Sequence, residues 1–114
     1  MAGQLKRISG PAYLVVAPGA DIYTPPAATI YTVIKHIRVV NKTAGAVTFS
    51  LYVGLTGGSL GGTEIANAKS VAANDYTDIY FSPGLKMLST DFLTGLASAA
   101  TSLTITVMGE QHVV

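Results

Sequence analysis

The chain contains no cysteine, which removes disulfides, thiolate metal sites and cysteine nucleophiles together and leaves the redox compartment open. Tryptophan is missing too, and His36 and His112 are the only histidines. Charge is scarce: 11% of the 114 residues are Asp, Glu, Lys or Arg, against about 25% in an average soluble domain. A small monomer with so little charge and 49% apolar residues is prone to associate, which implies that part of its surface is covered by something else. Long apolar runs are absent, since none approaches the ~18 residues of a membrane-spanning helix. The opening MAGQLKRISGP has no apolar signal-peptide centre, so export by that route is not expected. Seven basic and six acidic residues leave a net charge of +1, and they are scattered singly. Lys6-Arg7 and the Lys35, Arg38, Lys42 group come nearest to a basic cluster. They read as solvated strand edges and a turn rather than a nucleic-acid face. Neither nucleic acid nor membrane is an expected partner.

What is present is β-rich. From Ile30 to Leu55 two apolar runs, IYTVIKHIRVV and VTFSLYVGL, flank the polar turn NKTAGA. Val47, Phe49, Leu51 and Val53 fall on one side of a two-residue period, with Thr48, Ser50 and Tyr52 on the other. That alternation marks a strand with one buried face. Ile37 and Val39, with Arg38 opposite, follow the same rule. Carrying their parity backwards would bury Lys35, which predicts a bulge near Lys35-His36 or a sheet edge. Asn41 to Gly45 holds the residues a hairpin connection requires.

In chain order, a short strand is expected over Gln4–Ile8, ending at Gly10-Pro11, and a second over Tyr13–Ala17. Pro25-Pro26 marks an edge or a crossing after Asp21–Thr24. Thr56 to Thr63, TGGSLGGT, has four glycines in eight residues. It reads as a mobile or partner-ordered loop; a P-loop would need a following Lys-Ser/Thr and a helix. Thr63–Ala66 and Lys69–Ala72 are short strand candidates. Ile79 and Phe81 alternate with Tyr76, Asp78 and Tyr80. Pro83-Gly84 is a turn, Leu85–Leu88 a short apolar piece, and Asp91 to about Ala97 another strand. Leu103, Ile105 and Val107 alternate with Thr104, Thr106 and Met108, and Glu110 to Val114 extends that strand. The alanine-rich stretches 66–73 and 93–100 are shorter than an average helix.

These features predict an all-β chain: a single antiparallel β-sandwich, jelly-roll-like, of about eight short strands. One domain of this length buries ~65% of its unfolded surface. Residues 21–114 are expected to form the sandwich and residues 1–20 an N-terminal arm or added strand. Phe49, Leu51, Val53, Ile79, Phe81, Leu103, Ile105 and Val107 are expected in one core.

Catalytic chemistry finds little support. Two histidines without an HxH-type spacing do not make a metal site. The acids are Asp21, Glu64, Asp75, Asp78, Asp91 and Glu110, and they are better explained as turn and edge residues than as a glycosidase pair. No GxSxG elbow surrounds any serine. No catalytic residue, cofactor or metal is expected. The outward parity says more: Thr48, Ser50, Tyr52, Tyr76, Asp78, Tyr80, Thr104, Thr106 and Met108 include one charge among nine residues. Tyr and Met are enriched in protein contact surfaces and Lys and Glu depleted, although Thr and Tyr are also simply good strand formers. Tyr52, Tyr76, Tyr80, Thr104, Thr106 and Met108 are therefore the candidate protein-interface residues.

A resemblance rests on particular stretches. Tyr23-Thr24-Pro25, the apolar strand ending IRVVN at Ile37–Asn41, a Thr/Ala/Gly turn and TFSLYVG resemble small virion structural proteins of tailed bacteriophages. AANDYTDIYFSPGLKM and STDFLTGLASAATSLTITVMGE continue it, so residues 20–110 are covered and Met1–Ala20 are not. The resemblance implies a noncatalytic accessory protein on the exterior of the particle, assembled as a trimer or higher ring. Its expected partners are its own copies and the major capsid protein or other virion proteins. Head decoration is the first expectation and a neck or tail position the second. A carbohydrate-binding β-sandwich module is the competing class, and a hydrolase the weakest.

Overall fold

Strands far apart in sequence pair as though the chain were first folded into one long hairpin and then rolled up. The computed structural model describes residues 6–16, 19–26, 29–54 and 63–113. Eight strands follow one another: β1 (Lys6–Tyr13), β2 (Ala20–Tyr23), β3 (Thr29–Asn41), β4 (Val47–Gly54), β5 (Glu64–Val71), β6 (Asp75–Leu88), β7 (Phe92–Ala97) and β8 (Leu103–Val113). No helix occurs among the described residues. β1 pairs with β8, β2 with β7, β3 with β6 and β4 with β5, all antiparallel. Two further pairings, β3 with β8 and β4 with β7, close the roll. The result is two four-stranded sheets, β1-β8-β3-β6 (sheet A) and β2-β7-β4-β5 (sheet B). This is a jelly roll.

The inner faces meet as the period-two pattern requires. Phe49, Leu51, Leu103, Ile105 and Val107 are at most 2% exposed, packed with Ile34, Ile37, Val39, Met87 and Leu93 in one cluster. Val53, Ile79 and Phe81 pack against that cluster but are only half-buried. For Ile79 and Phe81 the reason is position: β6 is an edge strand of sheet A, with a neighbour on one side only.

The parity conflict at Lys35 is resolved by a bulge. On β8, Gly109 and Met108 are consecutive, yet they pair with Ile34 and His36, leaving Lys35 without a partner. One extra residue flips the facing of everything after it: Thr32 and Ile34 point inward before the bulge, Ile37 and Val39 after it. Opposite Lys35 on the other side, β6 bows out over four residues, because Tyr80 pairs with His36 and Leu85 with Ile34. The Lys35 ammonium donates to the Pro83 carbonyl across that gap. Gly109 allows the strands to approach here, since a Cβ on it would collide with the Val33 carbonyl.

Several expected boundaries differ. β1 does not stop at Gly10-Pro11; it continues to Tyr13 with register shifts on either side of Ser9. β1 is an edge strand and Pro11 falls in the register shift between Ser9 and Ala12, where no ladder partner is paired with it, and Gly10 adopts φ +79°. The expected strand Tyr13–Ala17 is not a separate one over its described residues: Tyr13 ends β1 and residues 14–16 form no strand. The Leu14 amide bonds the Leu103 carbonyl of sheet A, and the Val15 carbonyl accepts from Ala97 of sheet B, so this piece carries the chain between the sheets. Pro25-Pro26 lies on the crossing back from β2 to β3. The two short candidates at 63–72 are the single strand β5, which bulges opposite Ser50. Pro83-Gly84 lies within β6 rather than ending a strand. The expected loop Thr56–Gly62 lies outside the described residues.

Candidate interaction face on sheet A

The outward-pointing residues of sheet A line up in rows that run from strand to strand. Tyr13, Thr104, Val40 and Tyr76 form one row across β1, β8, β3 and β6. Thr106, Arg38 and Asp78 form the next across the last three strands. Arg7, Met108, His36 and Tyr80 form the third. Tyr13, Val40, Tyr76 and Tyr80 are all exposed, Tyr80 to 71%. Five of the six candidate interface residues, Tyr76, Tyr80, Thr104, Thr106 and Met108, thus share one face. The sixth does not. Tyr52 lies on β4, paired with Thr94 and Glu64 on the outer side of sheet B. Ser50, expected to face outward, is 6% exposed, because the β5 bulge brings the Ala68 amide onto its hydroxyl.

Asp78 holds the centre of the sheet A face. Arg38 donates to it twice, Nε to Oδ1 at 2.7 Å and Nη2 to Oδ2 at 3.0 Å, a fork that the planar guanidinium suits. His36 Nε2 donates to the same Oδ1 at 2.7 Å. Each donor is backed by a tyrosine: Tyr80 stacks on the His36 ring at 4.6 Å, and Arg38 lies over the Tyr76 ring at 4.5 Å. Side chains of β3 and β6 are thereby locked into a rigid ladder. Towards the other end of the face, Tyr31 stacks on His112 at 4.3 Å and Lys86 sits over Tyr31 at 4.5 Å. Glu110 lies 3.4 Å from His112. At the β1 edge Lys42 covers the Tyr13 ring and donates to its hydroxyl.

The hydrogen bonds from Arg38 and then His36 hold the Asp78 carboxyl down to about 2, against its usual 3.8. The bond to Asp78 in turn raises the Arg38 guanidinium. Because the folded pKa is depressed, the unfolded chain takes up this proton first. The stabilisation is therefore complete above about pH 4 and disappears as pH falls through about 2. Asp78→Asn is expected to be less stable than the parent at neutral pH, with the difference shrinking to nothing by about pH 2. Circular dichroism melts of both proteins across this range check it.

Sequence inspection missed Arg38, His36, Val40 and Tyr13 as members of this face. Arg38 had the outward parity, but nothing local placed it beside Asp78, forty residues away. The histidines each neighbour a carboxylate, yet Met108, the partner of His36, lies four positions along β8 from His112. That is about 13 Å. No group of three His, Asp or Glu among the described residues is placed to hold a metal.

The charges are not scattered once the chain is folded. Lys6, Arg7, Lys35, Arg38 and Lys86 belong to sheet A, and Lys42 follows β3 directly. Its acids are Asp75, Asp78 and Glu110, an excess of three positive charges. Sheet B carries Lys69 against Asp21 and Glu64, and Asp91 lies between β6 and β7.

Neither models of known protein families nor curated protein sequences show a match to this chain.

Proposed function

We propose that this protein is a noncatalytic structural component on the outside of a bacteriophage particle, decorating the head and assembling with its own copies through the outer face of sheet A. The convergence of Tyr76, Tyr80, Thr104, Thr106 and Met108 with Tyr13 and Val40 on one sheet carries the reading. Tyrosine and arginine are the residues that dominate binding energy in protein interfaces, and here the Arg38 fork is immobilised before any partner arrives. Little side-chain entropy is then left to lose on docking. A standard contact buries about 800 Å² per partner, and apolar surface removed from water contributes about 25 cal/mol per Å². The jelly roll supports the reading because viral shell domains use that architecture. The resemblance of residues 20–110 to phage virion proteins points the same way. A neck or tail position would use the same contacts.

The experiment combines solution mass with location. The parent chain is expected to sediment as a trimer or larger ring and to be found in purified virions. Tyr76→Lys/Tyr80→Lys should sediment as a folded monomer with an unchanged circular dichroism spectrum, since both side chains lie at the exposed surface. A parent that is monomeric and absent from particles overturns the proposal. A carbohydrate-binding role is the second reading, favoured by the Tyr80 ring, which rests on His36 and is 71% exposed. Retention of the parent chain on a glycan array, lost in the same variant, would select it.

A further inference from the structure

An exposed sheet edge offers main-chain amides and carbonyls to any passing strand unless something blunts it. Three of the four edges here are blunted. β2 is four residues long. β1 is broken by register shifts on both sides of Ser9, with Pro11 in the second. β5 bulges against β4 and passes through Ala68 at φ +48°. The fourth edge is β6. From Asp75 to Tyr80 it pairs with β3 without a shift, up to the bow that carries Pro83. Lysine, a common guard on edge strands, is absent from residues 75–85. Both acids of the stretch are occupied: Asp75 accepts from the Tyr76 amide, and Asp78 from Arg38 and His36.

Amides along an antiparallel strand point in turn to one neighbour and then the other. The Tyr76 amide goes to the Asp75 carboxylate, which puts it on the side away from β3. The amides and carbonyls of Asp78 and Tyr80 share that side. Among the described residues, neither makes a backbone hydrogen bond outside the sheet. The side chains agree: Thr77, Ile79 and Phe81 face the core yet stay half-buried, since β6 has a neighbour on one side only.

We infer that two copies of this chain pair along β6, antiparallel about a two-fold axis at Ile79. Ile79 then lies opposite its own copy, Asp78 opposite Tyr80, and Thr77 opposite Phe81. Asp78 and Tyr80 exchange main-chain hydrogen bonds in both directions, and each copy covers the half-buried Ile79 and Phe81 of the other. The occupant is a second copy because the edge complements itself in this register. An axis at Asp78 would set two carboxylates directly opposite, which is destabilising. An axis at Tyr80 would push the pairing into the bow at Pro83. The two copies of sheet A become one continuous sheet with both outer faces on the same side. This contact rests on the assembly role proposed above and adds to it: a two-fold contact is closed, so a ring built from such pairs holds an even number of copies. Tyr76→Lys/Tyr80→Lys places lysines on this edge as well as on the face, and so disables both.

The chain has no cysteine of its own, so one introduced thiol reports the register. Under a mild oxidant such as oxidised glutathione, Ile79→Cys is expected to become a disulfide-linked dimer. Opposed residues of a non-hydrogen-bonded pair stand about 4.5 Å apart at Cα, within disulfide reach. The two copies of Thr77→Cys would be offset by four residues, about 13 Å along the strands, and should stay unlinked. Non-reducing gels read the link, and circular dichroism confirms that both variants fold. In the parent, the Asp78 and Tyr80 amides should gain protection from hydrogen exchange as the protein is concentrated. A folded Ile79→Cys that does not link overturns the pairing, as does equal linking at both positions. Amides that exchange equally fast at every concentration do the same. A trimeric parent also overturns the pairing but leaves the assembly role standing. A monomeric parent removes both.

Discussion

Replacing Phe49 by Ala is expected to cost about 3–5 kcal/mol, the range for deleting a buried aromatic ring and leaving its cavity. Phe49 is 1% exposed and heads the fully buried side chains by size. It lies on β4, an inner strand of sheet B hydrogen-bonded on both sides, opposite Ala97 of β7 and Lys69 of β5. Ala97 has only a methyl group and no torsion with which to fill the vacated space, so the cavity would stay largely open. Domains of this kind are stable by about 5–15 kcal/mol in all, and the loss is a large share of that. Urea unfolding followed by circular dichroism should show the midpoint moving down with an unchanged slope. Phe81→Ala is the internal comparison, and its cost should be smaller because Phe81 is half-buried on an edge strand. Equal losses at the two positions would mean that the core is not centred where the structure puts it.

The second large effect is expected at Asn41, a residue the turn between β3 and β4 depends on. Its side chain is 1% exposed. The amide nitrogen donates to the carbonyls of Gly45, Val71 and Ala72 at 2.9, 3.0 and 3.2 Å. The amide oxygen accepts from the Thr43 amide and hydroxyl at 2.9 and 2.7 Å. One side chain therefore closes its own turn and ties it to the end of β5 on the other sheet. Asn41→Ala strands the Val71 carbonyl away from water, and a buried group left without a partner costs about 1–3 kcal/mol. With the turn bonds lost as well, a total of about 3 kcal/mol is expected. Asn41→Asp is the sharper test of mechanism, since a carboxylate keeps the Thr43 bonds but cannot donate to the three carbonyls. It should recover little of the loss in urea unfolding. Recovery to near parent stability would mean that the tie to β5 contributes nothing.

Local pattern carried a good deal of this. The alternation in residues 47–53 and 103–108 located β4 and β8 and named the buried side of each. The impossibility of burying Lys35 located the bulge, because a charged side chain at an inward position breaks the period. Absence of cysteine removed thiol chemistry outright. What local pattern misread were the boundaries near proline and glycine. Gly10-Pro11 and Pro83-Gly84 look like strand ends, but both pairs lie within edge strands, at irregularities of register where a missing amide breaks no ladder pair. Whether a strand is at an edge depends on contacts with distant parts of the chain, and no short window contains them.

The candidate face divides in the same way. A two-residue period shows that Tyr52, Tyr76, Tyr80, Thr104, Thr106 and Met108 point away from the core; this much the sequence determines by itself. It cannot say which strands share a sheet, since each outward parity looks alike from any strand. Tertiary structure alone brought β3, β6 and β8 together, leaving Tyr52 on the far side and placing Arg38 and His36 on Asp78. It also gathered six of the seven scattered cations on or beside one sheet and set Glu64 next to Tyr52 on the other. The physical reason is that alternation is set by neighbours in the chain. Pairing is set by how the rolled hairpin buries both inner faces at once, and charge is carried to wherever that pairing leads.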